Sequence, residues 1–122
     1  MRILILTPRL PWPPLDGGRI AMARLAQSLA HEGADVEILS LNPRKHRASV
    51  DATPLPVRAI DIDTSRVGAP ALRAMTSDAP YVVARFLSRE FFEAVRERNA
   101  DIVQLEGPFM LPYAGAVSGN AR

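Results

Sequence analysis

Ile3-Leu4-Ile5-Leu6 forms an unbroken apolar run near the amino terminus, closed by Thr7-Pro8. Continuous apolarity without alternation is the pattern of a strand covered on both faces of a parallel sheet. A proline-rich loop follows from Pro8 to Asp16 and ends in Gly17-Gly18. The period then becomes helical, with Met22, Leu25, Ala26 and Leu29 on one predicted face. Gly33 stands where a carboxyl-terminal cap belongs. Val36, Ile38 and Leu41 predict a second strand, stopped by Asn42-Pro43. The polar stretch Arg44–Leu55 is expected to be a mobile loop, and Val57–Ile62 a third, weaker strand.

Ala69–Ser77 predicts a short helix, and a second helix is expected from Pro80 through Leu87. Ser88 has the chemistry of an N-cap for a helix over Arg89–Asn99. Glu90 lies in its first turn, where the helix dipole favours an anion. Leu87 and Phe92 stand at the two positions of a hydrophobic staple. Ile102–Leu105 predicts the fourth strand, and Phe109–Val117 begins another helix. Repeats, low-complexity tracts and a second domain are not evident, and 122 residues suit one domain.

Strands alternating with helices predict an α/β fold: a Rossmann-like, three-layer parallel sheet in strand order 3-2-1-4. The winding direction then reverses between strands one and four, and ligands bind outside the strand carboxyl ends at that point. Two loops would flank the crevice, Thr7–Gly18 and Glu106–Pro112. Gly17-Gly18 and Glu106 would therefore face each other across it.

Paired glycines let a backbone approach a phosphate closely, and a helix amino terminus offers unpaired N–H groups with a partial positive charge. Gly17 and Gly18 therefore either meet an anion or only permit a sharp turn into the helix, and Arg19 would add a charge-assisted contact. Glu106 is either a base or hydroxyl acceptor in the cleft or a solvated strand-end carboxylate. Asp16 is better placed as a turn residue than beside an acceptor. Asp61-Ile62-Asp63 has the form of a cation-binding pair, but it sits away from the switch point and is expected to be a polar strand end. His31 and His46 lack ligand partners at metal spacing and are expected at the surface. Trp12 would pin its loop to the body or offer a platform to a sugar or lipid. Phe86, Phe91 and Phe92 are expected to be core and helix-packing residues.

Composition narrows the classes. The chain has 48% hydrophobic and 23% charged residues, an ordinary globular balance. Its net charge is only +2, and its arginines are scattered rather than interleaved with aromatics, which disfavours nucleic acid as a partner. There is no cysteine, so disulfides, thiolate metal sites and cysteine nucleophiles are excluded. The short apolar run behind Arg2 is not a signal peptide, and no stretch is long enough to span a bilayer, so a cytoplasmic location is expected. Neither Gly-x-Gly-x-x-Gly nor Gly-Lys-Ser/Thr is present, and strand two ends without an acidic residue. This disfavours nicotinamide oxidoreductases and nucleoside triphosphatases. A receiver domain is disfavoured by Leu6-Thr7-Pro8, which carries no acidic cluster.

Pro11-x-Pro13-Pro14-x-x-Gly17-Gly18-Arg19 after Ile3–Leu6, with Leu25 and Leu29 beyond, resembles the start of GT-B-fold glycosyltransferases of the family 4 type. Ala79–Phe86, and Asp101–Glu106 followed by Met110 and Tyr113, resemble segments of a bacterial subgroup that builds exopolysaccharides. The resemblance implies a retaining transfer from a nucleotide sugar to a sugar or lipid-linked acceptor, without cofactor or metal. It implies that Gly17 and Gly18 face the donor phosphates, that Glu106 lies in the cleft, and that association with the inner membrane face is peripheral. The second lobe of such enzymes, with its Glu-x7-Glu motif, has no counterpart here, and no catalytic residue is assigned. The chain is thus expected to be a truncated amino-terminal lobe, inactive alone, with its second lobe supplied in cis or trans. The competing expectation is a non-catalytic, flavodoxin-like module that binds a phosphorylated ligand or a partner lobe.

Overall fold

A computed structural model of the chain describes residues 1–51, 53–65 and 81–117. Four strands, β1 (Arg2–Thr7), β2 (Asp35–Pro43), β3 (Val57–Ile62) and β4 (Ile102–Leu105), form one sheet among the described residues. All pairs are parallel, in the order β3-β2-β1-β4. Helix α1 (Gly17–His31) covers one face; α2 (Tyr81–Ala84), α3 (Arg89–Arg96) and a 3-10 segment, Pro108–Ala116, cover the other. This is the Rossmann-like three-layer arrangement that the hydrophobic pattern predicts. The helix expected over Ala69–Ser77 lies outside the described residues. None of the described helices is long and apolar enough to cross a membrane.

The unbroken apolar run of β1 follows from its position. Ile3 and Ile5 pack with Met22, Ala23 and Ala26 of α1, while Leu4 and Leu6 pack with Phe91, Val95, Met110 and Tyr113. Each such side chain contributes about 1.5–3 kcal/mol on burial, so neither face of β1 tolerates a polar residue cheaply. Trp12 joins the α1 layer at 8% exposure and pins the proline-rich loop to the body.

The buried stripe of α1 is rotated from the expected one. Ala23 is 4% exposed and Leu25 is 39% exposed. At about 100° per residue, Met22, Ala23, Ala26, Leu29 and Ala30 share one arc, and Leu25 falls on its flank. Ala23 and Ala26 let the helix lie close to the sheet. The helix ends as predicted: Gly33 has φ +92°, with Gly33 N–H donating to the Ala30 carbonyl and Ala34 N–H to that of Leu29. That pair of bonds is the Schellman arrangement, which needs a left-handed residue.

Strand β2 runs through Asn42 and Pro43 before stopping. Asn42 is buried and brackets Ala48, donating to its carbonyl at 2.9 Å and accepting from its N–H at 3.1 Å. The loop expected to be mobile is therefore tied to the sheet at that point. Ser88 caps α3 as expected, accepting from Phe91 N–H at 3.2 Å. The helix ends at Arg96, short of Asn99. Arg98 turns back there, donating to the Ala94 carbonyl at 2.9 Å and pairing with Glu37 at 3.0 Å, and Ala100 enters the core.

The last segment was expected to be α-helical and is instead a 3-10 helix. Pro112 inside it has no N–H and would clash with an α-helical carbonyl four residues back. Met110, Tyr113 and Ala116 are all buried, and their spacing of three places them on one face of a 3-10 helix. Tyr113 locks this layer together. Its hydroxyl donates to the Phe86 carbonyl at 2.5 Å and accepts from Ser88 N–H at 2.8 Å, and its ring lies 4.6 Å from that of Phe91.

Tyr113→Phe keeps the ring but leaves Ser88 N–H and the Phe86 carbonyl without that partner. The expected loss is about 1–3 kcal/mol of unfolding free energy, read as a lower urea midpoint with an unchanged slope. A midpoint equal to wild type would show that the hydroxyl holds nothing together.

Candidate functional site

The connection out of β1 runs over one face of the sheet and the connection into β4 over the other, and a cavity of about 200 Å³ opens above the carboxyl end of β1. Its walls include Arg9, Gly18, Arg19, Met22, Glu106 and Phe109. Residues 88 positions apart in sequence, Gly18 and Glu106, thus share one cavity at the predicted switch point. Gly17 and Asp16 do not line it.

One wall is built from the loop after β1. Buried Thr7 donates from its hydroxyl to the Arg9 carbonyl at 2.9 Å and turns the chain. Leu10, Pro11 and Trp12 are then buried in succession. Asp16, in an extended conformation, is the N-cap of α1. One carboxylate oxygen accepts from Arg19 N–H at 3.0 Å, and the other accepts from Arg19 Nε at 2.7 Å. Asp16 is therefore a cap as well as a turn residue, and Arg19 is engaged by it.

The hydrogen bond from Arg19 N–H, then that from its side chain, holds the Asp16 carboxyl below the ordinary aspartate range. The positive charges of Arg19 and Arg9 add to this, and partial desolvation opposes it.

The glycines at positions 17 and 18 begin the helix itself. Neither has a positive φ. A Cβ on Gly17 would meet nothing within 4 Å, and one on Gly18 would meet only Asp16 Oδ1 at 3.5 Å, an ordinary contact. Neither backbone conformation nor crowding within the described residues calls for glycine at either position. In a helix interior glycine costs up to about 1 kcal/mol relative to alanine.

The other wall comes from β4. Glu106 N–H donates to the Leu6 carbonyl at 2.9 Å, extending the ladder one step past the strand. The half-buried Glu106 carboxylate accepts from Gln104 Nε2 at 2.9 Å. Gly107, at φ +79°, then reverses the chain into the 3-10 segment.

The remaining candidates lie elsewhere. Asp61 pairs with Arg47 at 3.3 Å and Asp63 with Arg44 at 3.8 Å, and Asp63 also accepts from Ser65. These carboxylates close the β2–β3 end of the sheet, outside the cavity. His31 and His46 are exposed. No group of three or more potential metal ligands occurs among the described residues. Phe91 is fully buried, while Phe86 and Phe92 are partly so, and Phe86 packs on Phe109 at 4.4 Å. Arg9 was not foreseen as a site residue. The signal available was positional: one arginine between Thr7 and the apolar Leu10-Pro11-Trp12.

A group whose native pKa is lowered stabilises the fold above its unfolded value, about 3.9 for aspartate, and loses that contribution as pH falls through the native value. Asp101, held down chiefly by its hydrogen bond from Arg2 N–H, acts in the same window. Wild type should therefore lose stability on acidification below about pH 4. Asp16→Asn, which retains an acceptor for Arg19 N–H, should reduce that slope, and a further Asp101→Asn should reduce it more. Chemical denaturation at a series of pH values measures this; an unaltered slope in the double variant would remove both groups from the account.

No family model matches the chain, and neither a curated protein nor a solved structure matches it.

Proposed function

We propose that the chain is the acceptor-side lobe of a retaining glycosyltransferase, with Gly17 and Gly18 meeting the diphosphate of a nucleotide-sugar donor. The observation that carries this is the pair of glycines that opens α1, with Gly18 in the wall of a switch-point cavity, where nothing in the surrounding described residues requires them. Close approach by a group from outside accounts for both. Helix-end N–H groups are suited to phosphate oxygens, and Glu106 on the opposite wall is suited to an acceptor hydroxyl. The resemblance of Pro11–Arg19 and Asp101–Glu106 to family 4 enzymes supports the same assignment. It also supports a role in cell-surface polysaccharide synthesis, with a cytoplasmic site of action at the inner membrane face.

One wall supplies only part of the charge stabilisation that a departing diphosphate needs. Transfer by these residues alone is expected to be undetectable, and a second lobe would complete the cleft.

The cavity volume favours a second reading. Ligand pockets commonly span about 300–1,000 Å³, whereas this one measures about 200 Å³. A non-catalytic module that takes a phosphorylated metabolite, or docks a partner lobe, would need no more room.

Gly18→Ala separates ligand binding from fold. It should raise unfolding free energy by a few tenths to about 1 kcal/mol and weaken binding of uridine diphosphate, measured by calorimetric or NMR titration. Increased stability with undiminished binding would sink the donor-phosphate assignment. Binding of inorganic phosphate as tight as that of uridine diphosphate would favour the metabolite module.

A further inference from the structure

The sequence holds one Asp-Gly pair, Asp16-Gly17, and no Asn-Gly pair. The other six aspartates precede Ala, Val, Ile or Thr. An aspartate followed by glycine is prone to ring closure. The backbone nitrogen of the next residue attacks the side-chain Cγ, and a glycine brings no Cβ to block it. One C–N bond forms and one C–O bond breaks. The amide proton leaves with the carboxyl hydroxyl as water, and a succinimide remains. Water then reopens that ring at either carbonyl, giving aspartate back or an isoaspartate whose backbone runs through the former side chain.

Both reacting groups are accessible. Gly17 is exposed, and a Cβ on it would meet nothing within 4 Å. Its N–H stands in the first turn of α1, without a partner among the described residues. The Asp16 side chain is 41% exposed, so water reaches it. What opposes closure is Arg19, whose N–H holds Asp16 Oδ1 at 3.0 Å and whose Nε holds Oδ2 at 2.7 Å. With both oxygens tied, the carboxylate cannot turn toward the Gly17 nitrogen unless a bond breaks. Closure also needs a neutral carboxyl, since an oxide is a far poorer leaving group than a hydroxyl. The hydrogen bond from Arg19 N–H, then that from its side chain, keeps the group ionised, and the charges of Arg19 and Arg9 add to this.

We propose that Asp16-Gly17 is a site of spontaneous aspartyl isomerisation, restrained by the two hydrogen bonds from Arg19. The contacts that cap α1 thus also protect the covalent backbone at its start. Conversion would add one carbon to the main chain just before Gly18 and Arg19, which line the cavity, and would shorten the arm that carries the cap. The cavity wall would therefore change as the chain ages, whatever ligand it takes.

The test is prolonged incubation of the folded 122-residue chain at neutral pH in water enriched in heavy oxygen. Each ring opening leaves one heavy oxygen at Asp16. Peptide mass spectrometry with electron-transfer fragmentation locates it and separates isoaspartate from aspartate. Label should collect at Asp16 ahead of every other aspartate, faster in urea-unfolded chain than in folded chain, and Gly17→Ala should nearly abolish it. Arg19→Ala should raise the rate in the folded chain about tenfold, in line with loss of one charge-assisted hydrogen bond, and Arg19→Lys by less. Arg98→Ala breaks a pair with Glu37 at the amino end of the sheet and should leave the rate at Asp16 unchanged. Circular dichroism should show each variant folded. A wild-type rate in folded Arg19→Ala, equal acceleration in Arg98→Ala, or equal rates in folded and unfolded wild type would overturn the restraint by Arg19. Label at other aspartates but not at Asp16 in the unfolded chain would overturn the site itself.

Discussion

Strand β1 is enclosed on both faces and along both edges, and the rest of the molecule is arranged around that enclosure. Its edges are taken by β2 and β4, and its alternate side chains enter two different cores. The outgoing chain passes through α1 on one face, and the chain entering β4 arrives from α3 on the other. No helix can then close the gap above the carboxyl end of β1, because the helices diverge there. The cavity is a consequence of strand order before it is a property of any side chain. What the sequence adds is the lining: a tethered loop on one side and, on the other, a strand that continues one hydrogen bond further to set Glu106 beside it.

Elements whose burial is symmetric were legible in the sequence, and those whose burial depends on a neighbour were less so. Ile3–Leu6, buried on both faces, read directly as a strand; Val57–Ile62, at the sheet edge with only Ile60 buried, gave a weaker signal, and the strand order was that of the commonest doubly wound sheet. The capping residues Ser88 and Gly33 were also legible, because local hydrogen bonding decides them. Leu25 was misplaced because helical spacing gives a period but not the phase against the sheet, and two alanines fixed that phase by allowing close contact. The closing 3-10 segment carried its signal in Pro112 and in the three-residue spacing of Met110, Tyr113 and Ala116. An α-helical period masked it.

The site divided along the same line. Gly18 and Glu106 share a cavity because a topological rule locates the ends of strands one and four, whereas Gly17, expected beside them, does not line it. Arg19 was correctly placed at the cavity, yet its charge is already used by Asp16, three positions earlier. No propensity or motif distinguishes an engaged arginine from a free one; the distinction lies in a 2.7 Å contact.

Asp16 also bears on how an anion would enter. Its carboxylate already occupies one of the first-turn N–H groups of α1 and lies 3.5 Å from where a Gly18 Cβ would be. On the proposed reading, a phosphate would share the helix end with a resident negative charge, and like charges at such distances repel. The approach left open is toward the N–H groups of Gly17 and Gly18, and absence of side chains at both positions lets a ligand come close without displacing Asp16. Arg19 is turned toward Asp16, so its charge is directed at the cap rather than at that side. The two sides of this helix end thus differ: Asp16 and Arg19 neutralise each other across the cap, while the backbone at Gly17 and Gly18 is left bare.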